Sequence, residues 1–247
     1  MEELDNNWYK TWFDTEFYHD LYSHRDEEEA RIFISTMIMF LEIHPGQRVM
    51  DMACGKGRHS RVLESHGLEV VGFDLSNHSI EEAKIYESET MAFDVHDMRK
   101  SFTKFGKFDV IFNLFTSFGY FNNLEDDQKT IKNVHMALTT DGFFVQDYLN
   151  ASSVIDSLPQ KGSKETETSN FSWKKRVEEG FILKDITVEN GGDQHHFQEK
   201  VKVYSLEDLV KLHEEAGLKV KDVFGSYELD PYVEKESPRI IIISKKA

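Results

Sequence analysis

Cysteine, basic charge and long apolar runs are all scarce in this sequence of 247 residues. Its one cysteine, Cys54, cannot form a disulfide within the chain, and this fits a reducing compartment such as the cytoplasm. The longest apolar stretch, residues 32–43, contains polar side chains and is too short to cross a bilayer. The acidic first residues lack the apolar segment of a signal peptide. We therefore expect a cytoplasmic protein without a membrane partner.

Acidic residues outnumber basic ones by 45 to 29, and the formal net charge is −16. Such a charge repels phosphate backbones, whose binding depends on lysine and arginine side chains. The densest basic segment, residues 174–176, is followed by Glu178 and Glu179, so no basic patch offsets the acidic balance. We therefore expect a small-molecule substrate rather than a nucleic acid. The sequence leaves a homodimer open.

Histidine and cysteine do not occur at the spacings typical of metal sites. The histidines include one adjacent pair, His195 and His196, and no His-x-x-x-His or Cys-x-x-Cys spacing is present. Cys54 has no recognisable histidine and aspartate partners in the sequence, so a small buried residue is favoured over a nucleophile. The sequence therefore predicts neither a metal site nor a cysteine nucleophile.

Apolar periodicity between residues 45 and 150 alternates between strands and helices. Short apolar segments predict strands at residues 48–52, 68–73, 90–93, 108–114 and 143–148. The intervening patterns predict helices at residues 58–66, 76–86 and 124–138. Strands that alternate with helices imply right-handed βαβ units and a parallel sheet. We therefore predict an α/β fold with a doubly wound, mostly parallel, Rossmann-like sheet of seven strands, two of them from the C-terminal segment.

The two ends of the chain flank this core of residues 45–150. Residues 1–44 are predicted to form an N-terminal helical cap, because aromatic residues recur at helical spacing in 7–23 and a second helical pattern covers 27–43. Residues 205–247 begin with a capping-box-like helix start and end in two apolar strands. We expect this last segment to complete the core sheet.

An insertion with a different pattern separates the core from the last segment. Residues 151–204 are predicted to form an antiparallel β insertion, after a polar and mobile loop at 161–169. Its expected strands are residues 171–177, 181–189 and 196–203. An apolar face that includes Phe181, Leu183 and Ile186 would cover the carboxyl ends of the core strands. The insertion is thus expected to act as a substrate lid.

Chemistry is concentrated in the turn after the first core strand. Asp51 ends the strand, and a Gly-x-Gly turn formed by Gly55 and Gly57 leads into a helix. Glycines allow close approach of the backbone to a ligand, and the helix N-terminus offers unpaired N–H groups. A second carboxylate, Asp74, ends the second strand seventeen residues after Gly57, near the spacing at which a carboxylate receives ribose hydroxyls. The pattern predicts a nucleoside-containing ligand.

A nicotinamide cofactor would use similar features. Its fingerprint requires a third glycine three residues after Gly57, where this chain has Ser60. Asp51 also places a carboxylate just before the turn, which suits a cationic ligand better than a pyrophosphate. These differences favour a cofactor with an amine and a sulfonium. A nicotinamide-dependent oxidoreductase is kept as an alternative hypothesis.

These residues resemble the motifs of class I S-adenosylmethionine-dependent methyltransferases. Residues 50–59 resemble the first motif of the family, and four further matches follow in the family's order. They are residues 74–76, 96–99, 108–114 and 141–144. The resemblance covers roughly residues 45–150, whereas the C-terminal segment resembles uncharacterised bacterial members of the family. It implies that S-adenosylmethionine is the cofactor and that a small molecule accepts the methyl group.

The resemblance implies roles for the first turn. The backbone of Ala53, Gly55 and Gly57 would line the methionine and ribose portions of S-adenosylmethionine, and Asp51 would hold its ammonium group. The family usually has glycine at the position of Ala53. One additional methyl group narrows the turn there, and we do not expect it to abolish binding.

The resemblance also implies cofactor contacts from the later strands. Asp74 would bind the ribose hydroxyls, with Leu75 beside the adenine. Asp97 would accept a hydrogen bond from the adenine amino group, and the N–H of Met98 would meet a ring nitrogen. Asn113 would lie beside the sulfonium.

Acceptor-pocket residues are expected after the fourth and fifth strands, because ligands of open α/β sheets gather at the carboxyl ends of the strands. Phe115 and Tyr120 follow the fourth strand, and Tyr148 and Asn150 end the fifth. No catalytic residue can be assigned from the sequence. A hydroxyl acceptor would require a general base, for which the nearby polar residues are candidates. These candidates are Tyr148, His96 and Asp147.

The predicted reaction is an in-line displacement, in which positioning of the acceptor supplies much of the rate enhancement. The N-terminal aromatic segment would contribute lid contacts from Tyr18, Tyr22 and Arg25. A protein that binds S-adenosylmethionine without catalysis is a second alternative hypothesis. A cavity beside the sulfonium position distinguishes the two hypotheses.

Overall fold

A seven-stranded sheet forms the centre of the computed structural model, which describes residues 8–23 and 27–246. Its strands are β1 (Arg48–Met52), β2 (Glu69–Asp74), β3 (Met91–Val95), β4 (Phe108–Asn113), β5 (Leu138–Leu149), β10 (Leu218–Phe224) and β11 (Arg239–Lys246). They are ordered β10-β11-β5-β4-β1-β2-β3. All neighbours pair in parallel except β11, which is antiparallel to both β5 and β10. The predicted doubly wound, mostly parallel sheet is confirmed.

Helices cover both faces of this sheet. They are α3 (Glu27–Phe40), α4 (Arg58–Ser65), α5 (Asn77–Ala83), α6 (Leu124–Ala137) and α8 (Leu206–Glu215). One apolar cluster joins α3, α4 and α5 to the sheet, and a second joins α6 and α8 to it. Because both faces are covered, strands such as β4 are apolar along nearly their whole length.

The N-terminal aromatic segment forms two short helices rather than the single helix predicted for residues 7–23. These are α1 (Trp8–Trp12) and α2 (Glu16–Leu21). Thr15 separates them because its hydroxyl oxygen caps α2, where it accepts a hydrogen bond from the backbone N–H of Tyr18 at 3.2 Å. The two helices can therefore take different directions over the site.

The insertion forms a separate antiparallel sheet of four strands in the order β6-β7-β8-β9. The strands are β6 (Gln160–Glu165), β7 (Ser169–Glu178), β8 (Phe181–Asn190) and β9 (Asp193–Lys202), and a short helix α7 (Ala151–Asp156) precedes them. The prediction of a mobile loop at 161–169 was wrong. Residues 160–165 pair with β7 along their length, and Gly162 lies so close to the Trp173 ring that a Cβ would meet it at 2.4 Å.

Strand β8 is buried on both faces, whereas the sequence predicted one apolar face. Phe181 and Leu183 point to one side, and Ile186 and Val188 point to the other because side chains alternate along a strand. The face of Ile186 and Val188 packs on the N-terminal aromatic helices. The sheet is thus joined to the N-terminal helices through the face of Ile186 and Val188.

The starts of β5 and α8 can be compared with the boundaries predicted from the sequence. Strand β5 begins at Leu138, earlier than expected, because residues 141–142 form an irregularity within the strand instead of a turn before it. Helix α8 starts with the predicted capping box, in which Ser205 and Asp208 exchange hydrogen bonds. In the described parts of the chain, no helix is long and apolar enough to cross a membrane.

Candidate active site

A cavity of about 1280 Å³ lies at the carboxyl ends of the parallel strands. Pockets for single drug-sized ligands measure roughly 300–1,000 Å³. The cavity therefore has room for two ligands side by side. Its floor comes from the ends of β1 to β5, and its roof comes from α1, α2 and the four-stranded sheet. Strand order reverses between β1 and β4, which is where ligands of such sheets bind.

Asp51 is a buried carboxylate at the edge of this cavity. Its side chain is 1% exposed, and the Ser60 hydroxyl donates a hydrogen bond of 2.6 Å to it. Burial raises the pKa of Asp51 to about 6, because few polar groups compensate its lost hydration. A carboxylate in such a place is suited to an ammonium group. Ser60 stands where nicotinamide-binding proteins have their third glycine, and it holds the Asp51 carboxylate in position.

The turn after β1 contains three residues with positive φ. Ala53 (φ 62°), Gly55 (φ 54°) and Gly57 (φ 76°) adopt the left-handed conformation that glycine tolerates best. Ala53 and Gly55 line the cavity, and a Cβ on Gly55 would meet no atom within 4 Å. Gly57 is not in the cavity lining, since it caps α4 and packs against the Phe93 ring. Ala53 adopts a backbone conformation that costs an alanine about 1–2 kcal/mol.

Asp74 presents its carboxylate to the cavity at the end of β2. The backbone N–H of Gly55 donates to Oδ2 at 2.9 Å, and that of Ser76 donates to Oδ1 at 2.9 Å. A carboxylate has about four acceptor positions, so the two oxygens keep capacity to accept hydrogen bonds from a ligand. This arrangement matches the two hydroxyls of a ribose. Asp14, before α2, accepts a hydrogen bond of 2.5 Å from the Ser76 hydroxyl and joins the roof to this turn.

Leu75, Asp97 and Met98 also line the cavity. The Arg99 guanidinium binds both carboxylate oxygens of Asp97 at 2.6–3.2 Å. Burial alone would raise the pKa of Asp97, but the hydrogen bonds from Arg99 lower it below its usual value. The Asn133 amide holds the backbone carbonyl of Met98 at 3.1 Å. These contacts fix the position of the segment after β3.

Asn113 lies beneath the cavity and does not line it. Its side chain is fully buried and donates hydrogen bonds to the backbone carbonyls of Met52 at 3.3 Å and Ser117 at 3.0 Å. The residue therefore supports the two turns that follow β1 and β4. A direct contact with the sulfonium is no longer proposed for it.

The turn after β4 is strained and faces the cavity. Phe115 and Thr116 both have φ of 60°, an unfavourable conformation for these residue types. Asp147 of β5 fixes this conformation, because its carboxylate accepts from the N–H of Phe115 at 2.8 Å and its carbonyl from the N–H of Thr116 at 2.9 Å. Tyr120 lines the cavity and donates to the Thr116 carbonyl at 2.5 Å. Strain of this kind is typical of functional sites.

Tyr148 and Asn150 are absent from the cavity lining. Tyr148 is fully buried, and its hydroxyl donates to the carbonyl of Lys202 at 2.8 Å. The Asn150 amide donates to the carbonyls of Glu234 and Ser237 at 2.6 and 2.7 Å. Both side chains leave β5 toward a face of the sheet and not toward its end. We therefore withdraw them as acceptor contacts.

Two of the three candidate general bases are engaged elsewhere. Burial raises the pKa of Tyr148 well above its usual value, and its hydroxyl is already bonded. Asp147 forms an ion pair with Arg239 at 2.7 Å and accepts from the Tyr227 hydroxyl at 3.0 Å. His96 lines the cavity, and burial lowers its pKa. Among the described residues, its buried Nε2 has no hydrogen-bond partner.

The roof contains polar groups that sequence reasoning did not identify. Glu199 of β9 accepts hydrogen bonds from Trp12 Nε1 at 2.9 Å and from the Tyr22 hydroxyl at 2.8 Å. Lys184 of β8 donates to the Tyr22 hydroxyl at 2.7 Å. The sequence of β8 contains a sign of this polar group. Lys184 lies on the same face as Ile182 and Ile186, so a charged residue interrupts an otherwise apolar face. Its partner on another strand could not be identified from this pattern.

Two of the three residues predicted to contact the ligand from the lid lie in the described part of the chain. Tyr18 and Tyr22 line the cavity, whereas Arg25 lies outside the described residues. Lys164 of β6 donates to the carbonyls of Asp20 and Leu21 at 2.9 and 2.7 Å. The N-terminal helices and the four-stranded sheet are therefore joined by hydrogen bonds from several strands. Within residues 8–23 and 27–246, no group of three or more potential ligands is placed to hold a metal ion.

Comparison with known families agrees with this geometry. The family model described as a methyltransferase domain matches residues 43–208, which is more than half of the chain. The chain belongs to the methyltransferase-domain family. This methyltransferase uses S-adenosylmethionine as its cofactor, in agreement with the motifs and with its structural neighbours. The nicotinamide hypothesis is thereby excluded.

The methyltransferase is similar to several proteins from bacteria. It is 24% identical over 209 residues to YqeM, a proposed methyltransferase of Bacillus subtilis strain 168, with 81% of this chain and 84% of that protein covered. An S-adenosylmethionine-dependent methyltransferase of Clostridium acetobutylicum ATCC 824 has a similar structure, with a TM-score of 0.78 at 21% identity and coverage of 94% and 96%. CalS10, an amino pentose methyltransferase of Micromonospora echinaspora solved with S-adenosylmethionine bound, gives a TM-score of 0.69 at 14% identity and coverage of 94% and 98%. The last two similarities show the shared fold.

Proposed function

We propose that this methyltransferase transfers a methyl group to a small-molecule acceptor by in-line displacement. The observation that carries the proposal is one cavity that extends from Asp51 and Asp74 to the turn of Phe115 and the roof. Its volume exceeds that of a single-ligand pocket, which favours catalysis over cofactor binding alone. CalS10, whose fold is similar, acts on an amino pentose, and a small acceptor is consistent with that.

The residues on the floor fit S-adenosylmethionine in chemistry. Asp51 would receive its ammonium, and the remaining acceptor positions of Asp74 would receive the ribose hydroxyls. Ala53 and Gly55 line the cavity, so their backbone would be accessible to the cofactor. Gly57 shapes the turn and the start of α4. Leu75, Asp97 and Met98 would border the adenine. When bound, the cofactor supplies an electrophilic methyl group on its sulfonium.

The remaining residues position the acceptor and exclude water. The strained turn at Phe115 and Thr116 is held by Asp147 and needs no reorganisation during the reaction. Tyr18, Tyr22 and Tyr120 wall the cavity on the roof side. Holding the acceptor near the methyl group converts a bimolecular reaction into an effectively unimolecular one. Exclusion of water strengthens the electrostatic interactions that remain.

The four segments of the chain would have separate tasks. Residues 1–44 form the cap, 45–150 bind the cofactor, 151–204 act as the substrate lid and 205–247 complete the core sheet. The hydrogen bonds of Glu199 and Lys164 to the N-terminal helices support a shared role of cap and lid. The single cysteine supports a cytoplasmic location, and the acidic charge argues against a nucleic-acid partner. A homodimer stays a prediction.

A methyl-transfer assay tests the proposal. Purified protein is incubated with S-adenosylmethionine labelled on the methyl carbon and with pools of small amines, hydroxy acids and amino sugars. We expect label in at least one pool and none in RNA, DNA or protein fractions. Label that appears only in a macromolecule would contradict the small-molecule acceptor. S-Adenosylhomocysteine binding without transfer to any acceptor would favour the binding-protein alternative.

A further inference from the structure

One row of charged side chains crosses the cavity face of the four-stranded sheet. Lys175 of β7 lies opposite Lys184 of β8, and Lys184 lies opposite Glu199 of β9. All three residues line the cavity. The row holds two ammonium groups and one carboxylate, so it is positive in a protein whose net charge is −16.

The charge of Lys184 is already compensated. Its Nζ donates to the Tyr22 hydroxyl at 2.7 Å and lies 3.7 Å from Glu199 Oε2. The same ammonium lies 4.7 Å from the centre of the Tyr22 ring and 4.9 Å from that of Trp173. Glu199 also accepts hydrogen bonds from Trp12 and Tyr22. The direct contacts of the carboxylate are therefore with Lys184 and the N-terminal helices.

Lys175 has no direct partner of this kind. Among the described residues it forms no hydrogen bond or ion pair, and its ammonium is partly buried in the cavity wall. Burial lowers the pKa of Lys175, because desolvation disfavours its charged form, and the attraction of the Glu199 carboxylate offsets only part of this effect. Like charges directly opposite each other on neighbouring strands are also unfavourable. The folded protein therefore keeps an unpaired cation next to another cation, at a cost in stability.

The neighbouring wall is apolar. Trp173 and Ile182 line the cavity from the same face of the sheet as Lys175. A ligand beside Lys175 would therefore contact one cationic group and several apolar ones. An anion there would remove the repulsion between the lysines and satisfy the ammonium of Lys175.

We propose that the methyl acceptor carries a carboxylate or phosphate group that pairs with Lys175, and an apolar body that packs on Trp173 and Ile182. The inference rests on the proposed function, since it names the acceptor class of the same cavity. Lys175 is thus assigned as an acceptor-binding residue, whereas Lys184 is held by Tyr22 and Glu199.

Binding of three matched probes tests the inference. Benzoate, phenyl phosphate and the uncharged benzamide are titrated by ligand-observed NMR into protein saturated with S-adenosylhomocysteine. We expect benzoate or phenyl phosphate to bind with about millimolar affinity and at least about tenfold more tightly than benzamide. The tighter of the two anions identifies the acceptor group as carboxylate or phosphate.

Two variants assign the effect to Lys175. Lys175→Met should reduce the affinity for the anion to that for benzamide, whereas Lys174→Met, on the exposed outer face of the same strand, should leave it unchanged. Lys175→Met should also melt at a higher temperature than the original protein without probe, because it removes an unpaired buried cation. A variant that melts higher and loses anion binding would show that its loss of binding is not a folding defect.

Three results would overturn the inference. They are equal affinity for benzamide and both anions, no binding of any probe at about 10 mM, and anion binding that survives Lys175→Met. S-Adenosylhomocysteine binding is measured in the same sample. If it is normal, such results overturn the acceptor class alone, and if it is absent, the proposed function fails as well.

Discussion

At the residue scale, two carboxylates with different surroundings should divide the recognition of the cofactor. Asp51 is buried with Ser60 as its hydrogen-bonding partner, whereas Asp74 is held by two backbone N–H groups. The negative charge of Asp51 is poorly compensated, which favours binding of a cation. The two oxygens of Asp74 are held in a fixed orientation, which favours binding of a diol. Their contributions to binding should therefore depend differently on pH.

Asp51 should make cofactor binding sensitive to mild acid. Its pKa is raised to about 6 in the ligand-free protein, and only the ionised form pairs with an ammonium group. Affinity for S-adenosylhomocysteine should therefore be full above pH 7 and decrease as the pH falls through 6, approaching tenfold per unit at lower pH. Calorimetry between pH 7.5 and 5 measures this change. Asp51→Asn should bind weakly with a flat pH profile, and an unchanged slope in this variant would contradict the assignment.

Asp74→Ala should weaken S-adenosylhomocysteine binding by about 1.5–3 kcal/mol, because charge-assisted hydrogen bonds to hydroxyls are lost. Asp74→Asn keeps one acceptor oxygen and should lose less. Asp94→Ala is the control, since Asp94 lies on the adjacent strand, pairs with Lys104 and is not in the cavity lining. Equal affinities of the original protein and both Asp74 variants would mean that Asp74 only orders the turns of Gly55 and Ser76.

At the scale of elements, the cap and the four-stranded sheet should behave as one roof. Glu199→Ala leaves Trp12, Tyr22 and Lys184 without their shared acceptor in a mostly buried site. Breaking such a buried pair lowers the free energy of unfolding by about 3–5 kcal/mol. We expect a decrease near the lower end of this range, because the groups are partly solvated. Urea denaturation measures it, and hydrogen exchange should increase in both α2 and β8.

A matched variant separates hydrogen bonding from charge at the same position. Glu199→Gln retains an acceptor for Trp12 and should recover part of the stability, although Lys184 loses its counter-ion. Exchange that increases in β8 alone, with α2 unaffected, would argue that the roof consists of two independent parts.

The local elements of the site were accessible from the sequence because their signals lie within a few residues. The turn of Gly55 and Gly57 and the carboxylate of Asp74 directly follow strands that can be recognised from their short apolar segments. The roof was less accessible because its contacts join distant positions. Glu199 and Trp12 are neighbours only after the insertion folds over the core, and no local pattern shows this.

Strand ends produced the remaining errors. Side chains at the end of a strand point alternately to the two faces of the sheet, and the sequence does not say which residue is the last to face the cavity. Tyr148 and Asn150 were expected in the pocket for this reason, but their side chains bond to Lys202 and to residues 234–237. The strand β6 was missed because its polar residues gain stability from pairing with β7 and not from an apolar face.

At the scale of the whole molecule, a buried histidine links stability to pH. His213 is fully buried between Ser244 at 2.7 Å and Gln146 at 2.9 Å, and burial lowers its pKa to about 3. The unfolded chain takes up a proton near pH 6.5 and the folded protein does not, so stability decreases as the pH falls from 6.5 toward 3. From this group we expect a loss of about 2 kcal/mol between pH 7 and 5.

Urea denaturation at pH 7 and pH 5 measures this change. His213→Gln should be less stable at pH 7 but should lose less stability on acidification. The exposed His44 offers the control variant His44→Gln, which should retain the full pH dependence. Identical pH dependence in all three proteins would contradict the role of His213.

Calorimetric titration of the intact protein with S-adenosylhomocysteine tests whether this cavity binds the cofactor. We expect one site per chain with a dissociation constant in the micromolar range, about −8 kcal/mol. We also expect that Asp51→Asn and Asp74→Ala each weaken this binding, while Asp94→Ala does not. Folded protein that produces no heat with S-adenosylhomocysteine or S-adenosylmethionine would contradict the assignment of this cavity as the cofactor site.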